Sequence, residues 1–233
     1  RGFCVGNIAP DCNVENEDWT SFIPSRETTH WMNGGGKSVS DGDLFYEEYM
    51  RKREGEIKSE EHRAFLAGYY SHLITDAVFQ KFIRDENRVK AVWRRIYADE
   101  QLREKVKCYP EDWNSVRIII PKNIRMAEIN TIEAEYLKEH PDSGYLTETI
   151  PLKEFPHYID YLPHGCIVRK IRISFLCSGK MGRNDVLIRI KCLSWAEQSL
   201  DAVRIYPSEL AGLVQKVQDN MDGLNSPDFT ETL

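Results

Sequence analysis

His72 and Asp76 stand four residues apart in the stretch SEEHRAFLAGYYSHLITDAVFQKFI (59–83), and that spacing could do chemistry. On a helix, side chains at i and i+4 lie one above the other, so an imidazole and a carboxylate address one point in space. H-x-x-x-D is a pairing that suits a divalent metal ion. Apolar residues recur at Phe65, Tyr69, Phe79 and Ile83 on one face and at Leu66, Leu73 and Ile74 on another, which predicts a buried helix. An ionised carboxylate there costs several kcal/mol unless a cation or a tight set of donors meets it. Two compensations stand open. One is a metal held by His72 and Asp76. The other is a hydrogen-bonded pair that shares a carbonyl of a neighbouring helix.

Two earlier segments carry further candidates. In GNIAPDC, Pro10 fixes its own φ and pushes Ala9 toward extended geometry, so a helix should end and turn sharply just before Asp11. Judged locally, Asp11 also suits an N-cap or an Asx-turn. In TTHW, Thr28 and Thr29 are stiff at χ1 and Trp31 needs burial, so His30 is a placed imidazole rather than a waving surface group. Three glycines precede Lys37-Ser38, but a phosphate-binding loop needs a further glycine where Trp31 stands and a hydrophobic strand before it. Neither is present.

The elements that must position these residues read as helical. An amphipathic helix is expected over 43–53, with Leu44, Tyr46, Tyr49 and Met50 inward, ahead of the central helix. Residues 87–106 form a further helix with Val89, Val92, Trp93, Ile96 and Leu102 as core. Ile118, Ile119 and Ile120 fit either a short strand or a helix begun at Trp113, and 124–138 reads helical. The proline-broken stretch 141–165 is loop-rich and suits a wall or lid over a site. Period-two alternation over 166–176 and again over 186–192 predicts a β-hairpin, and 207–224 a terminal helix. The expectation is a mainly α helical bundle with a small peripheral hairpin. It forms one domain over 1–233, with 1–107 as the metal-ligand core and 108–233 as its covering region.

With 233 residues, 41% hydrophobic and 11% aromatic, the chain is globular, and no apolar run is long enough to span a bilayer. A formal charge of −6 argues against a nucleic-acid partner held by phosphate contacts. The six cysteines lack C-x-x-C spacing, so no zinc ribbon or thioredoxin-like site is indicated. Without a visible secretory core, reduced thiols in a cytoplasmic protein are expected, and a secreted protein is the alternative. No protein partner is predicted.

Taken in order, GNIAPDC, TTHW and FLAGYYSHLITD (65–76) resemble the zinc-dependent phospholipase C family, which includes the amino-terminal domain of glycosylphosphatidylinositol-specific phospholipase D and small bacterial relatives. The likeness covers the first third of the chain. It implies a helical bundle in which Asp11, His30, His72 and Asp76 share zinc, with manganese or iron conceivable in the absence of a thiolate. Asp76 matches the carboxylate that bridges metals, and Asp11 the one proposed as general base. The implied activity is hydrolysis of a small-molecule or lipid phosphate ester. A related nuclease or phosphomonoesterase and a non-catalytic relative with a structural ion are the alternatives.

The chain departs from the family pattern in its remaining ligands. Family members build up to three metal positions, yet upstream of Gly6 only the Arg1 amino group or Cys4 could add a ligand here. No histidine follows Asp76 until His140. A second metal would therefore draw on His157, Asp160 and His164 in the loop-rich region. Trp31, Tyr69 and Tyr158 are the candidates to line a substrate pocket, each equally at home in a core.

Overall fold

A computed structural model of the chain describes residues 1–17, 20–33, 39–120, 122–125, 135, 138–172, 212, 215–217 and 219. The fold is mainly α, with one small antiparallel strand pair. The described residues fall into two compact units, one comprising those of 1–79, 141–172, 215–217 and 219 and the other those of 80–140 and 212. Up to residue 172 the units meet after Phe79 and again after His140. All four candidate ligands of the first third belong to the first unit.

The first unit starts with α1 (Gly2–Ile8), which runs into a 3-10 turn at Ala9–Asp11. Ala9 keeps helical geometry, contrary to the extended conformation expected before proline. Pro10 is accommodated because it sits at the start of the tighter turn, where its missing N–H leaves no bond unmade. Strands β1 (Val14–Glu15) and β2 (Phe22–Ile23) pair antiparallel, Val14 opposite Ile23. Next come α2 (Arg26–Thr29), capped by Ser25 accepting from the Thr28 N–H, and α3 (Gly42–Phe45), capped by Asp41. A π-helical turn at Tyr46–Arg51 continues α3. Its wider winding turns Phe45 and Tyr49 inward and leaves Leu44, Tyr46 and Met50 only partly covered, which differs from the regular spacing expected there.

The central helix, α4 (Glu60–Ile83), matches its expected span to one residue and buries Phe65, Leu66, Tyr69, Tyr70, Leu73 and Ile74. It meets α1 backbone to backbone. A methyl group added at Gly6 would lie 1.9 Å from the Phe65 carbonyl oxygen, and one at Gly68 would lie 2.1 Å from that of Phe3. Only residues without a Cβ allow this approach.

The loop-rich stretch after Pro141 packs on this core through Leu152, Ile159 and Leu162. Residues 166–172 are helical, with Cys166 and Ile171 buried, where the alternation pointed to the first strand of a hairpin. Over seven residues, Ile167, Val168 and Ile171 satisfy i, i+1, i+4 as readily as a period of two, and packing on a helical unit favours the helix. The second half of that hairpin, 186–192, lies outside the described residues, as does most of 124–138 and of the terminal helix over 207–224. Among the described residues the strand pair is β1–β2.

The second unit contains α5 (Glu86–Ala98), α6 (Glu100–Val106), α7 (Trp113–Ile119) and α8 (Lys122–Arg125). The single helix expected over 87–106 breaks at Asp99, whose side chain accepts from the Leu102 N–H and starts α6. Val89, Val92, Trp93, Ile96 and Leu102 are buried as expected, and the three isoleucines end a helix rather than form a strand.

Candidate metal centre

Three segments of the first unit converge at one edge of α4. Asp11 comes from the 3-10 turn after α1, His30 from the residue that ends α2, and His72 from the middle of α4. One ligand atom from each lies within 4.8 Å of the others, a His/His/Asp cluster able to hold a metal ion. The two imidazole Nε2 atoms are 3.3 Å apart, and His30 Nε2 stands 3.4 Å from Asp11 Oδ1 and 3.5 Å from Asp76 Oδ2.

Each imidazole is oriented from behind. His72 Nδ1 is 2.7 Å from the Asn7 carbonyl in the last turn of α1, the turn that the glycine contacts press against α4. A carbonyl only accepts, so Nδ1 carries the proton and Nε2 presents a lone pair. His30 Nδ1 is 2.9 Å from the Thr29 hydroxyl, which donates its own proton to the Arg26 carbonyl at 3.3 Å and so accepts from the ring. In that tautomer, the one a metal ligand takes, His30 Nε2 turns a lone pair toward the cluster as well. The two Nε2 atoms face each other across 3.3 Å, so that imidazoles in the metal-binding tautomer would share an ion placed between them. Two ligands each about 2.0–2.1 Å from a shared ion at the tetrahedral angle stand about 3.3–3.4 Å apart, so the spacing fits a tetrahedral ion.

Support for His30 extends into the core. His30 is fully buried, and the next residue, Trp31, has φ of 54°. That left-handed conformation costs roughly 1–2 kcal/mol for a residue with a Cβ. It is held because the indole packs edge-on against Phe45, Tyr49 and Tyr161 and donates to the Tyr161 hydroxyl at 3.0 Å. Tyr161 donates on to Tyr69, and Tyr69 donates to the Thr29 carbonyl at 2.6 Å. The turn thus sends His30 toward the cluster and Trp31 into the aromatic core.

Electrostatics favour a cationic occupant. Burial alone would raise the Asp11 pKa, but the hydrogen bond from His30 and the nearby His72, His30 and Arg26 outweigh it and hold the carboxyl well below its usual range. Burial depresses the His72 pKa against the opposing pull of Asp11 and Asp76, so its ring is neutral near pH 7.

The remaining candidates fall elsewhere. Asp76 borders the cluster through His30, but its Oδ2 accepts from Arg26 Nη2 at 2.6 Å, and Arg26 Nη1 also reaches Asp11 at 3.2 Å. Arg26 is the site residue the sequence reading missed. Its signal was the position four before His30, one helical turn away. His157, Asp160 and His164 do not form a second centre among the described residues. Asp160 is engaged by the Tyr49 hydroxyl and by Arg53 at 2.9 Å, His157 Nε2 is 2.7 Å from the Leu162 carbonyl, and the two imidazoles stack at 3.8 Å. Neither the Arg1 amino group, which pairs with Glu148 at 2.5 Å, nor Cys4, which packs against Gly144, joins the cluster. Tyr69 is fully buried and Trp31 is committed to the aromatic core, so both support His30 instead of lining a pocket. Tyr158 stacks on His62 at 4.2 Å and on the Phe65 side of the core.

Among the described residues no helix is long and apolar enough to cross a membrane. Comparison with protein-family models, with characterised proteins and with solved structures finds no match to this chain.

Proposed function

We propose that the chain is a zinc-dependent hydrolase of phosphate esters, of the phospholipase C type that its motifs resemble, acting on a small-molecule or lipid phosphodiester. The observation that carries this reading is the 3.3 Å separation of two imidazole Nε2 atoms, each ring held from behind at Nδ1, with a carboxylate at 3.4 Å. Three protein ligands with one direction left open are the pattern of a catalytic zinc, whereas structural zinc sites close with four. Asp11, half exposed at the rim, marks the open side. When bound, the ion supplies Lewis acidity toward a phosphoryl oxygen and acidifies water beside it.

The chain's own groups do the rest. Asp11, the carboxylate that joins both imidazoles in the cluster, serves as a ligand. Asp76, within reach of His30 Nε2, is the carboxylate we assign to accept the proton of the attacking water. This differs from the resemblance, which gives the base role to Asp11. Thr29 and the Asn7 carbonyl keep the imidazoles in the tautomer that binds.

Metal analysis of the purified protein, followed by assays on a p-nitrophenyl phosphodiester, phospholipid vesicles and single-stranded DNA, tests the proposal. Wild type is expected to carry about one equivalent of zinc, and His72→Ala almost none, with hydrolysis lost in parallel. Stoichiometric zinc retained in both His72→Ala and His30→Ala would refute the ligand assignment. Zinc without hydrolysis of any of the three substrates would leave a structural ion.

A further inference from the structure

Arg26 occupies an unusual place beside this cluster. Its guanidinium spans Asp11 and Asp76, with Nη1 3.2 Å from Asp11 Oδ1 and Nη2 2.6 Å from Asp76 Oδ2, while about half of its side chain stays in solvent. The same Asp11 oxygen is the one 3.4 Å from His30 Nε2. A guanidinium and a divalent ion would thus draw on the same carboxylate. Arg26 is anchored by its backbone in α2, where its carbonyl accepts from both the His30 N–H and the Thr29 hydroxyl, so its exposed side chain can move without disturbing His30.

We propose that Arg26 is an internal counter-ion that a metal displaces and that then binds the anionic group of the substrate. The inference rests on the metal reading above and adds a substrate-binding residue to it. The charge balance gives the reason. Two carboxylates bridged by one guanidinium are short of one positive charge. A divalent ion beside them more than makes up that deficit. The empty cluster repels a phosphate, and the loaded one attracts it. The guanidinium, relieved of carboxylates now neutralised by the ion, presents a planar fork of donors that matches a phosphate bidentately beside the open coordination position. Arg26 in this account keeps the carboxylates ordered and the site closed to anions until the metal arrives.

The test measures zinc affinity by competition with a chromogenic chelator, and binding of inorganic phosphate by calorimetry, for wild type, Arg26→Gln and Arg26→Lys, with helicity checked by circular dichroism. Arg26→Gln is expected to bind zinc about tenfold more tightly, because the competing cation is gone, and its zinc-loaded form to bind phosphate about tenfold more weakly, the scale of a lost charge-assisted hydrogen bond. Arg26→Lys should restore the weaker zinc affinity but only part of the phosphate binding, since it keeps the charge and loses the fork. Wild type should bind phosphate only when loaded. Zinc affinity of Arg26→Gln equal to or below that of wild type, or unchanged phosphate binding, overturns the role of Arg26 and leaves the metal centre standing. Failure of wild type and all variants to bind zinc overturns the centre itself, and this inference with it.

Discussion

Asp11, His30 and His72 are ordinary residue types made unusual by what stands behind them. The Thr29 hydroxyl holds His30 at Nδ1, and the Asn7 carbonyl, which only accepts, puts the proton of His72 on Nδ1. Partners of this kind typically change metal affinity by 10–100-fold when removed. Thr29→Val keeps the buried shape and removes the acceptor, so its zinc dissociation constant should rise by about that factor with little change in helicity. An unchanged constant would mean that His30 is oriented by packing alone. At this scale the sequence was legible for the ligands, because a proline corner, a stiff threonine pair and an i, i+4 spacing are all local signals. Arg26 was not legible, because its two carboxylates are 15 and 50 residues away and nothing local announces such a bridge. Tyr69 and Trp31 were ambiguous for the opposite reason. An aromatic residue near a ligand reads the same whether it faces substrate or core, and only the hydrogen-bond chain through Tyr161 to the Thr29 carbonyl distinguishes the two.

Among the elements, the contact between α1 and α4 sets the site. Glycines at positions 6 and 68 let the two backbones touch, and that approach carries the Asn7 carbonyl to His72 and Asp11 to His30. Gly6→Ala places a methyl group against the Phe65 carbonyl, which cannot yield as a side-chain tip would. Overpacking of this kind costs about 1–3 kcal/mol, and thermal denaturation should show a loss at or above that range together with weakened zinc binding. Full stability in Gly6→Ala would show that the helices separate freely. The fourfold glycine spacing of α1 was present in the sequence but carried no weight without a known partner helix. Residues 166–172, expected to open a hairpin, are helical because the alternation there is short enough to serve a helix, whereas the central helix, with several turns of apolar spacing, was read to within a residue.

At the scale of the molecule, the small sheet is tied to the helical core by charge. Arg169, in the helical stretch 166–172, donates to both carboxylate oxygens of Glu15 on β1, at 2.9 and 2.6 Å. The Arg169 hydrogen bonds, with help from the backbone N–H of Glu15, lower the Glu15 pKa from 4.5 to about 2. A carboxyl whose pKa is lower folded than unfolded stabilises fully above the unfolded value, and the contribution fades as pH falls through 4.5 toward 2. Denaturant midpoints measured across that window should therefore fall less steeply for Glu15→Gln than for wild type, and parallel curves would show the pair to be idle. The mainly α architecture was foreseeable from composition and periodicity. The division into two units was not, because it cuts a continuous helix after Phe79 and returns at Pro141, and contacts between segments distant in sequence leave no local mark.

The central claim concerns where an ion sits, and the most direct measurement is an anomalous difference map at the zinc absorption edge from crystals grown with zinc. One dominant peak is expected about 2.0–2.2 Å from His30 Nε2, His72 Nε2 and an oxygen of Asp11. Crystals with full zinc occupancy elsewhere and no peak between the two imidazoles would contradict it.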